Sequence, residues 1–222
     1  MKTIVVSDLH LTATFDQNKF VCLKKLFENC EKLIINGDFW SCYSSSFEEF
    51  LNSQWRQLFP IMLAKKTIYL YGNHDRSEFM DQRVNLFSIE QLSSLNYSSG
   101  EHDYHIEHGH LFFKHQSFSN PIFLKLYRKL KIDEKLRQPL ENFLYRTFDF
   151  KTLTKYFGYL NNEIKNKNSQ LMQSGKILVV GHTHAPENDK VMKFVNTGFI
   201  GHNLGWYLEI NNRGYSLVKF TY

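Results

Sequence analysis

Cysteine is scarce in this 222-residue chain. There are three, Cys22, Cys30 and Cys42, odd in number and in no ligand-like spacing. That excludes a disulfide-built scaffold and a cysteine-rich zinc knot, and it reads as free thiols in a reducing cytosol. Cys42, close after Asp38, is read as a small buried apolar residue. Long apolar runs are also missing: none approaches the roughly 20 residues that a spanning helix needs. Repeats, low-complexity tracts and linkers are absent, so residues 1–222 are read as a single domain, long enough to bury a sizeable core. No cleavable leader is expected, because the chain opens directly into an apolar strand and cleavage would remove Asp8 and His10. The expected location is cytoplasmic.

What is present is ordinary for a folded domain, 42% hydrophobic and 22% charged residues with 16% aromatics. Its signal lies in how the apolar runs end. Ile4-Val5-Val6 leads into Ser7-Asp8-Leu9-His10, and Leu33-Ile34-Ile35 into Asn36-Gly37-Asp38. Ile68-Tyr69-Leu70-Tyr71 leads into Gly72-Asn73-His74-Asp75. Tyr104-His105-Ile106 leads into Glu107-His108-Gly109-His110, and Ile177-Leu178-Val179-Val180 into Gly181-His182-Thr183-His184. One such ending is explained by turn chemistry, since Gly, Asn and Asp suit tight turns. Five in succession are not. Open α/β sheets bind ligands at the carboxyl ends of their strands, so the five groups are expected to meet on one edge of one sheet. Carboxylate, imidazole and one amide, without thiolate, suit Mn, Fe or Zn in a water-rich catalytic site.

Asp-x-His, Gly-Asp, Gly-Asn-His-Asp, His-Gly-His and Gly-His-Thr-His, in that order from Asp8 to His184, resemble the motifs of the calcineurin-like metallophosphoesterases. The resemblance implies an α/β fold: a two-sheet metallophosphoesterase sandwich flanked by helices, here with a helical insertion. It implies two divalent metal ions, most readily manganese, with Fe or Zn as alternatives. The first would take Asp8, His10, Asp38 and His184. The second would take Asp38, Asn73, His108 and His182, with Asp38 shared. It implies hydrolysis of phosphoester or pyrophosphate bonds by a hydroxide bound between the metals, with His74 as leaving-group acid and Asp75 orienting it. His110 is the less favoured ligand of its pair, and His102, His105, His115 and His202 are read as ordinary. Gly198 resembles a family loop near the site, although a simple turn explains it as well.

Residues 17–30 carry Phe20, Leu23, Leu26 and Phe27 at helical spacing, and Phe47 to Leu63 forms a second helical stretch. Short helices are expected between Arg76 and Leu95. Residues 114–176 hold two further helical stripes, Phe123 to Leu130 and Leu140 to Phe148, and read as a helical insertion or lid. Thirteen basic and five acidic side chains give that stretch a balance of +8, against +5 for the whole chain. The rest of the protein is therefore slightly acidic. Arg128, Lys129 and Lys131 are the candidate substrate-binding cluster. Val191–Val195 and a hairpin of Trp206–Ile210 and Tyr215–Phe220, turning at Asn211-Asn212-Arg213-Gly214, are expected to form or join a second sheet.

The length, the Gly37-Asp38-Phe39-Trp40 start of the second motif and the insertion resemble bacterial UDP-2,3-diacylglucosamine hydrolases. The chain departs from them at His74, where they carry arginine, and at His110, where they carry aspartate. The expected substrate is a phosphorylated small molecule or lipid-linked compound, with nucleic acid less favoured. Peripheral contact with the inner membrane face is the matching partner. A catalytically silent scaffold of the same fold is the alternative, and loss of ligands would mark it.

Overall fold

The computed structural model describes residues 1–113, 121–132, 135–136, 139–140, 143 and 150–222. Thr3–Val6 (β1), Lys32–Asn36 (β2), Ile68–Leu70 (β3) and Glu90–Leu92 (β4) lie side by side and parallel. The first crossover is helix Gln17–Glu28 (α1), capped by the Asp16 carboxylate accepting from the Lys19 amide at 3.0 Å. It buries Phe20, Leu23 and Phe27. The second crossover is broken where one helix was expected. Phe47–Asn52 (α2) opens with a Ser46/Glu49 capping box, Gln54–Leu58 is a tighter 3₁₀ turn, and Phe59–Ala64 (α3) restarts with Pro60 in its first turn. Proline lacks the amide hydrogen that a continuous helix would need there.

Ser94–Ser99 (β5), His102–Glu107 (β6), Ile177–Val180 (β7), Glu187–Asp189 (β8) and Phe194–Asn196 (β9) form a second sheet in the order β5-β6-β7-β9-β8. The motifs are therefore not on one edge of one sheet. Three leave the first sheet and two leave the second. The C-terminal expectation is also corrected. Val191–Val195 feeds the second sheet through β9. Ile200–Gly201 (β10), Leu204–Asn211 (β11) and Gly214–Thr221 (β12) join the first sheet, β11 running antiparallel to β1. Packing explains the choice: Leu208 and Ile210 of β11 share the intersheet core with Val5 of β1.

Alternation on β1 divides the layers. Val5 turns into the sandwich with Ile34, Ile106 and Val179, while Ile4 and Val6 face the helices with Leu23 and Phe27. The insertion contributes Pro121–Lys129 (α4), Phe150–Lys167 (α5) and Ser169–Gln173 (α6). Leu124 and Tyr127 of α4 pack on the first sheet's helical side, whereas Ile164 of α5 packs on Leu178, Val180 and Phe194 of the second sheet. The insertion thus touches both layers. Of the second predicted stripe, Leu144, Tyr145 and Phe148 lie outside the described residues, as do Lys114 and His115, while Leu140 and Phe143 are exposed.

Candidate active site

The first two motif loops continue the parallel ladder beyond their strands. The Asp8 amide donates to the Gly37 carbonyl at 3.1 Å, His10 to Asp38 at 2.9 Å and Leu11 to Phe39 at 2.9 Å. Backbone strain marks the positions. Ten non-glycine residues have positive φ among those described, and five are Asp8, His10, Asp38, His182 and His184, at 46° to 65°. Left-handed backbone at Asp or His costs of order 1–3 kcal/mol each, and it persists where the surroundings hold the side chain to a task.

Each buried carboxylate divides its oxygens. Asp8 accepts the His182 amide on Oδ2 at 2.9 Å, and Asp38 accepts the His74 amide on Oδ1 at 2.8 Å. The other oxygens face imidazoles. Asp8 Oδ1 lies 3.2 Å from His184 Nε2 and 3.8 Å from His10 Nε2. Asp38 Oδ2 lies 3.3 Å from His108 Nε2 and 3.9 Å from both His10 and His74. His10 and His184 face each other across 3.1 Å, and Asn73 Oδ1 is 3.2 Å from His108 Nε2. His108 is fixed from behind, its Nδ1 2.9 Å from the Asn36 carbonyl, which leaves Nε2 for the centre. Burial works against charge on Asp8 and Asp38, yet the surrounding imidazoles, His108 foremost, hold both below the usual carboxylate range. His108 is itself pushed up to about 10: burial opposes this, and Asp38 and Asp8 outweigh it. Burial, then His108, pulls His182 down to about 3, so it presents a lone pair.

This donor set fits divalent metals. Asp8, His10 and His184 form one group, and Asp38, His108 and His182 another. His10, Asp38 and His74 form a third group that overlaps both. Donors about 2.0–2.2 Å from a common ion stand roughly 3–4 Å from one another, as here. Asp8 Oδ1 is moreover buried without a hydrogen-bond partner, an expensive arrangement unless a cation shares it. The close approach of the backbone requires glycine: a Cβ on Gly72 would stand 2.1 Å from Asp38 Oδ1, and one on Gly181 2.5 Å from Asp8 Oδ2.

His74 has its ring beside His10, centroids 4.4 Å apart, and beside Tyr43 at 4.7 Å, with Nδ1 3.2 Å from Ser41 Oγ. Asp75 does something other than orient it. Its carboxylate accepts the amides of Asp38 (3.0 Å), Phe39 (2.7 Å) and Gly72 (2.7 Å) and the Tyr69 hydroxyl. Two of these bonds hold the loop that carries Asp38, and the other two hold Asp75's own turn and β3. Burial and the neighbouring Asp38 raise it to about 6.

The insertion supplies residues the sequence did not flag. Asn161 of α5 is buried, donates to the Ala185 carbonyl and to Glu187 at 2.9 Å, and accepts from Thr183 Oγ1 at 2.8 Å and Asn196 Nδ2 at 2.9 Å. Thr183 stands between His182 and His184, so this network holds the fifth motif from behind. One polar residue in an amphipathic helix leaves no sequence signal for it; its partners lie 22 to 35 positions away. Arg128 is half-buried and donates to the carbonyls of Cys42 (3.0 Å) and Ser45 (3.5 Å), while Lys129 and Lys131 are exposed. Cys42 is buried, and burial above all pushes its thiol up to about 12, as its apolar reading requires. Gly198 has φ +70°, and its carbonyl accepts from Ser7 Oγ at 3.2 Å, behind the first motif. His105 pairs with Asn96 on the outer strands, away from the centre. His110 is drawn in: its ring is 5.4 Å from His108 and 6.3 Å from His182.

A family profile described as calcineurin-like phosphoesterase matches residues 1–186. The chain belongs to the calcineurin-like phosphoesterases. Solved structures are similar at low identity. The Escherichia coli phosphoesterase YfcE is similar at 17% identity and a TM-score of 0.50, covering 98% of this chain and 92% of that one. Vps29 of Entamoeba histolytica, solved with zinc, has 18% identity and a TM-score of 0.47, covering 100% and 92%. A predicted phosphoesterase of Streptococcus pneumoniae has 14% identity and a TM-score of 0.43, covering 99% and 88%. No curated protein sequence matches significantly. Family membership and the Asp/His clusters together make this calcineurin-like phosphoesterase a metal-binding hydrolase of its class.

Proposed function

We propose that the chain hydrolyses phosphoester or pyrophosphate bonds using two divalent ions. One would be held by Asp8, His10, Asp38 and His184, the other by Asp38, Asn73, His108 and His182. The observation that carries this reading is the pair of buried carboxylates, each with one oxygen fixed by a backbone amide and the other turned to imidazoles. When bound, the ions would supply Lewis acidity and lower the pKa of a water towards ~7. Manganese is the ion to add first, given oxygen and imidazole donors without thiolate.

The chain's own residues supply the rest. Asp75 ties the Asp38 loop to its own through the backbone amides of Asp38 and Phe39 on one side and Gly72 on the other. His74 stands at the open side of the carboxylate pair, braced by Ser41 and Tyr43, where it can give a proton to a departing oxygen. The imidazoles at the centre sit against aromatic rings: Phe113 lies against His182 and Phe199 stacks on His184, centroids 5.3 and 5.5 Å apart. A lipid-linked substrate, met in the cytoplasm at the inner membrane face, is favoured by one feature. Leu126 of α4 and Leu130 just after it are half exposed beside Lys125 and Lys129, a surface suited to an anionic interface. The scaffold reading is disfavoured because every expected donor type reaches the centre.

The test is hydrolysis of bis(p-nitrophenyl) phosphate, p-nitrophenyl phosphate, a UDP-linked lipid and single-stranded nucleic acid, each with added manganese, alongside metal analysis. Wild type is expected to hold close to two ions per chain. Asp38→Asn is expected to lose metal and most turnover. Full activity after chelation and desalting would overturn the reading.

A further inference from the structure

Beside the centre lies a cavity of about 230 Å³ that the hydrolytic machinery does not use. Its walls include Tyr71, Gly72, Arg76, Ser93, His110 and Leu111. Gly72 separates it from Asp38, with no room between for even one methyl group. His110 comes from the other side, next to the rings of His108 and His182. The cavity therefore adjoins the centre, with Gly72 and His110 forming the boundary between them.

Its chemistry is that of an anion site. Arg76 is half-buried and follows directly on Asp75, whose hydrogen bonds to the amides of Gly72, Asp38 and Phe39 fix the backbone from which the guanidinium extends. Guanidinium offers five N–H donors in a fork matched to phosphate oxygens. Ser77 and Ser93 add hydroxyls. The Nδ1 of His110 is buried with no hydrogen-bond partner, so this nitrogen needs a ligand or a water to satisfy it. The one carboxylate in the lining, Glu78, is exposed. One acid and one imidazole argue against a further metal here. Size decides the rest: whole small-molecule ligands occupy roughly 300–1,000 Å³, so this space suits one group of a ligand anchored elsewhere.

We infer that the Arg76–His110 cavity is a subsite for a second phosphoryl group, attached to the one that the centre attacks. This rests on the hydrolytic reading above and narrows it to diphosphate-linked substrates. Hydrolysis of such a bond consumes one water. Its oxygen bonds to one phosphorus, the bridging P–O bond breaks, and the departing phosphate keeps the electron pair and receives a proton. Arg76 would hold the departing phosphate, which carries most of the charge that develops.

Two readouts test this with the metal-loaded full chain. In the first, kcat/KM is measured for a nucleoside diphosphate sugar and for bis(p-nitrophenyl) phosphate. Arg76→Gln is expected to lower the ratio of the first to the second by about 10- to 100-fold, through KM for the lost grip on the second phosphate and through kcat for the charge it develops. Arg76→Lys should retain part of it, and His110→Gln should lower the ratio less. In the second, titration calorimetry compares ADP with AMP; wild type should favour ADP, and Arg76→Gln should lose that preference. Activity on the diester with an unchanged ratio in both glutamine variants overturns the subsite and leaves the hydrolase reading standing. Absence of all hydrolysis in wild type overturns the hydrolase reading, and the calorimetric comparison still decides the subsite. Loss of metal in Arg76→Gln or His110→Gln, with both substrates falling together, assigns these residues to the metal centre and overturns the proposal.

Discussion

Asp38 is the residue on which the most constraints meet. It has a left-handed backbone, one oxygen bonded to the His74 amide, the other turned to three imidazoles, and its own amide held by Asp75. Any change that moves it a few tenths of an ångström disturbs both expected metal positions. Gly72→Ala does so without touching a titratable group, because the new Cβ would be 2.1 Å from Asp38 Oδ1. The expected result is a folded protein by circular dichroism that holds fewer ions and loses most turnover; full metal content with full activity would show that the carboxylate has room to move. His74→Ala should behave in the opposite way, keeping its metal while turnover drops ~10²–10⁴-fold, as for a lost general acid. The drop should be smaller for p-nitrophenolate than for alkoxide leaving groups. Equal losses would assign His74 to charge stabilisation instead.

At the scale of elements, the five motifs were legible because each is a strand end, where apolar runs stop and ligand chemistry begins. The partition into two sheets was not, since periodicity tells a strand from a helix but does not say which strand is its neighbour. Val5 and Leu208 meet across 203 positions. Asn161 was hidden for a related reason: a polar residue in an amphipathic helix reads as solvated until its partners are known. Asp75 shows the converse, a legible residue whose partners proved to be amides rather than its neighbouring imidazole. Asn161→Leu would leave the buried groups of Thr183 and Asn196 short of a partner, at about 1–3 kcal/mol each. Loss of such an outer hydrogen bond typically weakens metal binding 10–100-fold. Metal titration should show that loss for both ions, because His182 and His184 flank Thr183 and serve different ones, with activity restored by excess manganese. Lys165→Met, on the same helix, is the control. It removes ion pairs to Glu187 and Asp189 and should lower Tm while leaving metal affinity alone. If Asn161→Leu lowers only Tm, α5 is packing and nothing more.

Across the whole molecule, charge is uneven: the insertion carries a balance of +8 in a chain of +5. Exposed lysines attract polyanions over a distance that salt shortens, about 8–10 Å at physiological strength. The candidate cluster divides once the contacts are known. Arg128 reaches the carbonyls of Cys42 and Ser45, and Tyr127 touches Tyr43, which in turn touches His74. Arg128 is therefore joined to the site as structure. Lys129 and Lys131 remain at the surface as its electrostatic part. Arg128→Ala should lower kcat for every substrate, large or small, by loosening the Tyr43 brace behind His74. Lys129→Glu with Lys131→Glu should raise KM for a nucleotide-linked or lipid-linked polyanion, with the effect fading as salt is added. The same pair should barely alter bis(p-nitrophenyl) phosphate, which needs only the centre. Michaelis constants at low and high salt for both substrates separate the two roles. If the lysine pair shifts both substrates equally, or neither, the insertion is structural cover and its charge is only solvation.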